Sequence, residues 1–254
     1  MSLFSSGIRP SIDAYLKAES EKRRDYGDYW SASSAGYCMR KNIMERLGVP
    51  YVVEDARKQR VFSSGHIFHS WIQEITRGAG LSIAQELELQ DEELMIRGHI
   101  DDLVLVDDRL ILMDYKTAHS RSFTYSKDRP MGHYHTMQLG TYMYMFRKEP
   151  PRFSDKITLI TYYELSEARR LSISKDDLRL DEKQLLWSPG LEKKIVEYWT
   201  TLNGYWKAKK LPKCTCHKYD GAFMASEKYN PYWYKGQPCS LDWYKEWKAD
   251  AVKV

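Results

Sequence analysis

The residues best suited to chemistry are concentrated in one short run, RGHIDDLVLVDDRLILMDYKTA, spanning positions 97–118 of the 254-residue chain. Two apolar segments flank a charged turn, yet each carries acids: Asp101 and Asp102 in the first, Asp114 in the second. In an extended strand, residues two apart face the same side, so Asp114 and Lys116 point together with Leu110 and Leu112. If Asp107-Asp108 is a two-residue turn, pairing sets Asp101 opposite Asp114; a longer turn sets Asp102 there instead. Either register gathers two carboxylates and an ammonium on one face. Hard divalent cations such as Mg2+ or Mn2+ take oxygen ligands, often one or two carboxylates completed by water and phosphate. A cation held there can activate water near neutral pH and stabilise charge developing at phosphorus, and a lysine beside it can orient the water or neutralise that charge. The competing reading is a surface ion pair between Asp114 and Lys116. Against it stand the strongly apolar flanks, where unpaired carboxylates would be costly to bury.

The elements that must position this run can be read from periodicity. Helical patterns cover about 10–26, 34–47, 62–77, 131–146 and 191–209, with Gly48 and Pro50 stopping the second and Gly78 the third. Strand patterns cover 81–89, 95–106, 110–117, 157–165 and 169–174. Helices before, within and after a run of strands predict a mixed α/β core. The chain shows no repeat, low-complexity tract or long linker, so a single domain over 1–254 is expected.

The ordered residues resemble a known superfamily. Gly98–Asp101 (GHID) followed by Asp114–Lys116 (DYK) resembles the G-x-x-D…D-x-K core of PD-(D/E)XK nucleases. The RecB-like branch of that superfamily also has a histidine-bearing helix before the strands, matched by Gly65-His66-Ile67-Phe68-His69. A Q-x-x-x-Y helix follows the strands there, matched by Gln138-Leu139-Gly140-Thr141-Tyr142. The resemblance implies a restriction-endonuclease-like α/β fold, a central mixed sheet flanked by helices. It implies metal ligation by His69, Asp101, Asp114 and the Tyr115 carbonyl, with Lys116 as the catalytic lysine. Gln138 and Tyr142, one helical turn apart, would position Lys116 or the DNA. Glu86 would assist through a water. His66 is the rival to His69, while His99, His133 and His135 are expected to be peripheral.

Four cysteines form a second constellation. Cys38, with Cys214, Cys216 and Cys239, matches the one-plus-three arrangement by which CRISPR-associated RecB-like exonucleases and AddB hold a [4Fe-4S] cluster. The spacing departs from those proteins, with C-x-C followed by 22 residues before Cys239. Four thiolates also suit Zn2+, for which His217 offers an alternative ligand. In either version the metal would staple residues 190–254 to residues 1–60.

Composition narrows the function class. The net charge of +4 permits nucleic-acid binding without demanding it, and 43% hydrophobic with 29% charged residues describes a globular chain. No apolar run approaches membrane-spanning length. The N-terminus lacks a secretory pattern, so a cytoplasmic location is expected, in the host cytoplasm if the chain is viral. Arg40, Lys127, Arg129 and Lys207–Lys210 are candidate phosphate contacts, and Tyr232, Trp233 and Tyr234 candidate base-stacking residues. The expected function is Mg2+- or Mn2+-dependent exonuclease action on single-stranded DNA or duplex ends. The alternatives are a structure-specific endonuclease and a catalytically silent DNA-binding subunit. The partners in view are a helicase, a recombinase or a CRISPR adaptation complex.

Overall fold

In the computed structural model, residues 7–21, 27–49, 56–148, 165–216 and Cys239 are described. The elements run α1 (Ile8–Glu21), β1 (Trp30–Ser31), a 3-10 turn (Ala32–Ser34), α2 (Met39–Arg46), α3 (Ala56–Gly78), β2 (Ser82–Asp91), β3 (Ile96–Val106) and β4 (Arg109–Ala118). There follow α4 (Ser120–Lys127), α5 (His133–Lys148), β5 (Glu167–Ser174), β6 (Leu180–Leu186) and α6 (Pro189–Lys207). Residues 157–164 of the predicted strand at 157–165 and residues 22–26 of the first predicted helix lie outside the described residues.

The sheet is mixed. The pairs β2–β3, β3–β4 and β5–β6 are antiparallel, while β1–β3 and β4–β5 are parallel. β2 pairs with both halves of β3, from Asp91↔Ile96 to Ser82↔Val104. β1, at Ile96 and Arg97, and β4, from Asp102 onward, must therefore share the other edge of β3. Among the described residues, that edge has no strand partner over residues 98–101.

Alternation along β4 assigns its two faces. Leu110 and Leu112 join the larger core with Leu139, Met143, Ile195 and Trp199, which places α5 and α6 over that face. Ile111, Met113 and Tyr115 pack instead with Ile72 of α3. α5 is buried nearly all round because it is sandwiched between sheet and α6. Gly140 makes this possible, since a Cβ there would lie 3.0 Å from Leu191 and 3.1 Å from Ile195. α6 starts where Ser188 Oγ accepts from the Leu191 N–H and Pro189 occupies the first turn, where no N–H is needed. Two buried polar links tie the layers together: Trp30 Nε1 donates to Asn203 Oδ1 at 2.7 Å, and Trp199 Nε1 to Thr141 Oγ1 at 3.0 Å.

One sequence expectation is corrected, and two elements were not anticipated. The helix read over 34–47 begins only at Met39, because Gly36 takes φ +77° and breaks it from the 3-10 turn. β6 was not expected; its sequence, LDEKQLL, lacks β-branched residues, and parity rather than composition makes it an edge strand. α4, eight residues rich in Ser and Thr, was also not expected, and is nucleated by His119, whose Nδ1 accepts from the Arg121 N–H.

Candidate active site

The hairpin register is that of the two-residue turn. Asp107 and Asp108 take φ of 50° and 58°, the left-handed pair that such a turn requires. Val106 pairs with Arg109, and the ladder runs back to Asp102↔Met113. It stops one step short of Asp101 and Asp114, where β4 leaves β3 and continues along β5. There Asp101 Oδ2 replaces the missing strand partner by accepting from the Tyr115 N–H at 2.6 Å.

Asp114 is 2% exposed. Lys116 Nζ donates to its Oδ1 at 2.5 Å, Gln138 Nε2 to the same oxygen at 3.4 Å, and Arg170 to Oδ2 at 3.3 Å. Lys116 Nζ also lies 3.8 Å from Asp101 Oδ2, so the ammonium bridges the two carboxylates. Burial opposes the charge on Lys116, but Asp114 and Asp101 outweigh it and hold the ammonium above its ordinary pKa. For Asp101, too, burial works toward the neutral acid, and Lys116 and His69 reverse it, leaving the carboxyl below its usual range.

His69, on α3, faces Asp101 from the other side. Its Nε2 lies 3.1 Å from Asp101 Oδ2, within reach of charge attraction, but the approach is not directed as a hydrogen bond and the buried Nε2 has none. Burial lowers the imidazole pKa; Asp101 and Glu86 more than compensate and raise it. Ligand atoms of His69, Glu86 and Asp101 lie within 4.8 Å of one another. An undirected buried nitrogen beside two carboxylates is a donor set that fits a divalent cation. Glu86 sits in mid-strand with φ +50°, a conformation rare for a residue with a side chain, and Gln73 Nε2 holds its carboxylate at 3.0 Å.

Asp102 is excluded from this cluster. It is fully buried on the α3 face, where it accepts from Thr76 Oγ1 (2.7 Å), Ser82 Oγ (2.6 Å), Gln85 Nε2 (3.1 Å) and Tyr115 OH (3.0 Å). Its role is architectural: it locks α3, β2 and β4 together. Asp102→Ala would take their shared acceptor from Thr76, Ser82, Gln85 and the Tyr115 hydroxyl, and a loss of about 3 kcal/mol is expected. Chemical denaturation measures it.

Other expected residues fall in different places. Tyr142 is 5% exposed and packs beneath Gly98, where a Cβ would lie 2.9 Å from its ring. Its ring thereby supports β3. The Arg40 guanidinium donates to the backbone oxygens of Cys239 (2.9 Å) and Pro212 (3.2 Å). Arg129 lies over the Tyr125 ring, and Lys207, Lys209 and Lys210 border an apolar hollow with Ile43 and Trp206. Tyr232, Trp233, Tyr234 and His217 lie outside the described residues.

One residue near the acids, Arg170, escaped the sequence reading, and another, His135, was named there only as peripheral. Arg170 reaches Asp114 only because β5 pairs in parallel with β4, setting Asp114 beside Arg170. His135, expected at the periphery, is pushed down to about 3 by burial and by the charges of Arg170 and Lys116, and so stands there as a neutral imidazole.

The four cysteines converge away from these acids. Cys38, Cys216 and Cys239 are buried, no disulfide joins any of the four, and the four sulfurs lie within 4.8 Å of one another, a group that could hold a metal ion. No helix among the described residues is long and apolar enough to cross a membrane.

A family model described as the PD-(D/E)XK nuclease superfamily matches residues 57–217. No curated protein matches the chain. Among solved structures the chain is similar to SSO0001, at 16% identity and a TM-score of 0.48, over 81% of this chain and 93% of that one. It is also similar to LHK-Exo in complex with dAMP, at 14% identity and a TM-score of 0.47, over 72% and 90%. A second structure, of the alkaline exonuclease LHK-Exo from Laribacter hongkongensis, matches at 12% identity and a TM-score of 0.39, over 72% and 93%.

Proposed function

The chain belongs to the PD-(D/E)XK nuclease superfamily, and on that premise we propose that it is a divalent-metal-dependent DNA exonuclease of the RecB-like branch, acting on single strands or duplex ends. One observation carries the reading: Lys116 Nζ bridges Asp114 and Asp101 at the point where β3 and β4 part, with His69 and Glu86 against Asp101. A silent binding subunit would have no use for two acids and a lysine kept together at such electrostatic cost.

His69, Glu86, Asp101 and Asp114 would hold Mg2+ or Mn2+, with the Tyr115 carbonyl as a further oxygen. The bound cation would supply a lowered pKa for an attacking water and charge stabilisation at the scissile phosphate. The protein supplies the rest. Asp101 is fixed by the Tyr115 N–H, so its free oxygen keeps one orientation. Lys116 presents its ammonium to the reacting centre, while Arg170 and Gln138 keep Asp114 from turning away. His135, neutral and beside two cations, can accept a hydrogen bond without adding charge. The same reading makes the chain one nuclease domain with a metal-stapled appendage.

Glu86 offers an internal check. Glycine removes the penalty of φ +50° while costing strand entropy, so Glu86→Gly should alter stability by less than about 1 kcal/mol. Cleavage should nonetheless fall about 10- to 100-fold as a metal-side carboxylate is lost. Thermal melting and initial rates, measured on one preparation, separate the two effects.

The exonuclease assignment is tested with Mg2+ or Mn2+ on end-labelled linear DNA and on closed single-stranded circles. Release of nucleotides from the linear substrate with circles left intact is expected. Rapid nicking of circles would replace the exonuclease with a structure-specific endonuclease, and inertness toward both would remove the catalytic reading.

A further inference from the structure

The cysteine site carries an inference independent of the nuclease chemistry. We propose that Cys38, Cys214, Cys216 and Cys239 bind a single tetrahedral zinc ion rather than an iron–sulfur cluster, and that this ion closes the chain by joining the segment before α2 to the residues beyond α6.

The argument is one of size. Four thiolates about 2.3 Å from one ion, arranged tetrahedrally, have sulfurs about 3.8 Å apart. Here Cys38 and Cys214 sulfurs are 3.9 Å apart and those of Cys216 and Cys239 are 3.5 Å apart, with all four within 4.8 Å of one another. In a [4Fe-4S] cubane each thiolate binds a different iron at a separate corner, which spreads the thiolate sulfurs to roughly 6 Å. The cubane expected from the sequence resemblance therefore does not fit these residues as they stand.

The described neighbours pack closely on the sulfurs. Met44 and Val49 are buried against the cysteines, with Leu47 and Leu211 packed around them. Arg40 fixes the backbone on two sides through the oxygens of Pro212 and Cys239. The Thr215 N–H points at Cys38 Sγ at 3.3 Å, the kind of donor that stabilises a metal-bound thiolate. Cys239 takes φ +51°, so its backbone is bent out of its ordinary range to bring the sulfur in. The sequence departure is consistent with this: C-x-C brings two sulfurs close together on one short loop.

The test is elemental analysis of the full chain, purified once in air and once anaerobically, with labile sulfide measured alongside. About one zinc per chain, with no labile sulfide and no visible colour, is expected. Protein refolded with cobalt in place of zinc should show the intense visible ligand-field bands of tetrahedral thiolate coordination, lost in Cys214→Ser and Cys239→Ser. About four irons and four labile sulfides per chain in the anaerobic preparation would overturn the proposal. So would metal-free protein, whether its four thiols titrate freely or are paired as disulfides. None of these readouts depends on DNA cleavage, so they stand or fall apart from the nuclease assignment.

Discussion

Replacing Asp114 with asparagine should reduce divalent-metal-supported cleavage about a thousandfold or more, the scale of removing a charged group aimed at the reacting centre. Asparagine keeps the shape and an acceptor oxygen but leaves Lys116 and Arg170 facing a neutral group in a buried setting. A stability loss of several kcal/mol is therefore expected with it, as when one partner of a buried ion pair is removed. Lys116→Ala separates chemistry from folding. Asp114 keeps Arg170 and Gln138, so the fold should hold. The ammonium no longer competes for the two carboxylates, so calorimetry should show Mn2+ binding unchanged or tightened while cleavage slows at least about a hundredfold. If both variants cut DNA at the parent rate, these residues are not the catalytic centre. If Lys116→Ala weakens Mn2+ binding, its role is structural.

How far the sequence reveals this site depends on how local each interaction is. The hairpin could be read because a two-residue Asp-Asp turn and alternating apolar residues determine each other's register, and the choice between Asp101 and Asp102 needed only the turn length. Asp102 shows why the alternative was plausible: it bears the same side chain one position on, but parity sends it to Thr76, Ser82 and Tyr115. Arg170 was out of reach. It stands 56 residues from Asp114, and a parallel pairing has no turn to announce it. Arg40 shows a different limit. A surface-looking arginine in a helix gives no sign that two distant backbone oxygens will claim it. Tyr142 was taken from the Q-x-x-x-Y resemblance, and such a motif says which residues share a helix face without saying how exposed each one is.

Cys38→Ala should be the most destabilising single change outside the sheet. Metal-linked folding energies reach about 10 kcal/mol or more for four-ligand sites, and a missing ligand forfeits much of that. Cys38 is the one thiol contributed from the N-terminal side, 176 residues from its Cys214 neighbour, and it also accepts from the Thr215 N–H. The expected result is a metal-depleted protein with a much lower melting temperature, cut by limiting protease on the C-terminal side of Lys207. Some nuclease activity should persist at low temperature, because no cysteine lies in the acid cluster. An unchanged melting temperature with full metal content would show that the other three thiols suffice.

The parallel seam between β4 and β5 sets an order of assembly. The β3–β4 hairpin closes over a two-residue turn, an event of microseconds in isolated chains. It brings Asp101, Asp114 and Lys116 together using only nearby residues. β5 must wait for α4, α5 and the intervening chain to be placed, since long-range pairing pays its loop-closure entropy before it is rewarded. Arg170 thus arrives last, at a carboxylate already paired with Lys116. Early in folding the nascent site holds two acids against one base, and it reaches its final charge balance only when the sheet is completed. Substitutions in the hairpin should accordingly slow folding, whereas Arg170→Gln should leave the folding rate nearly unchanged and speed unfolding, the pattern of a contact formed after the rate-limiting barrier.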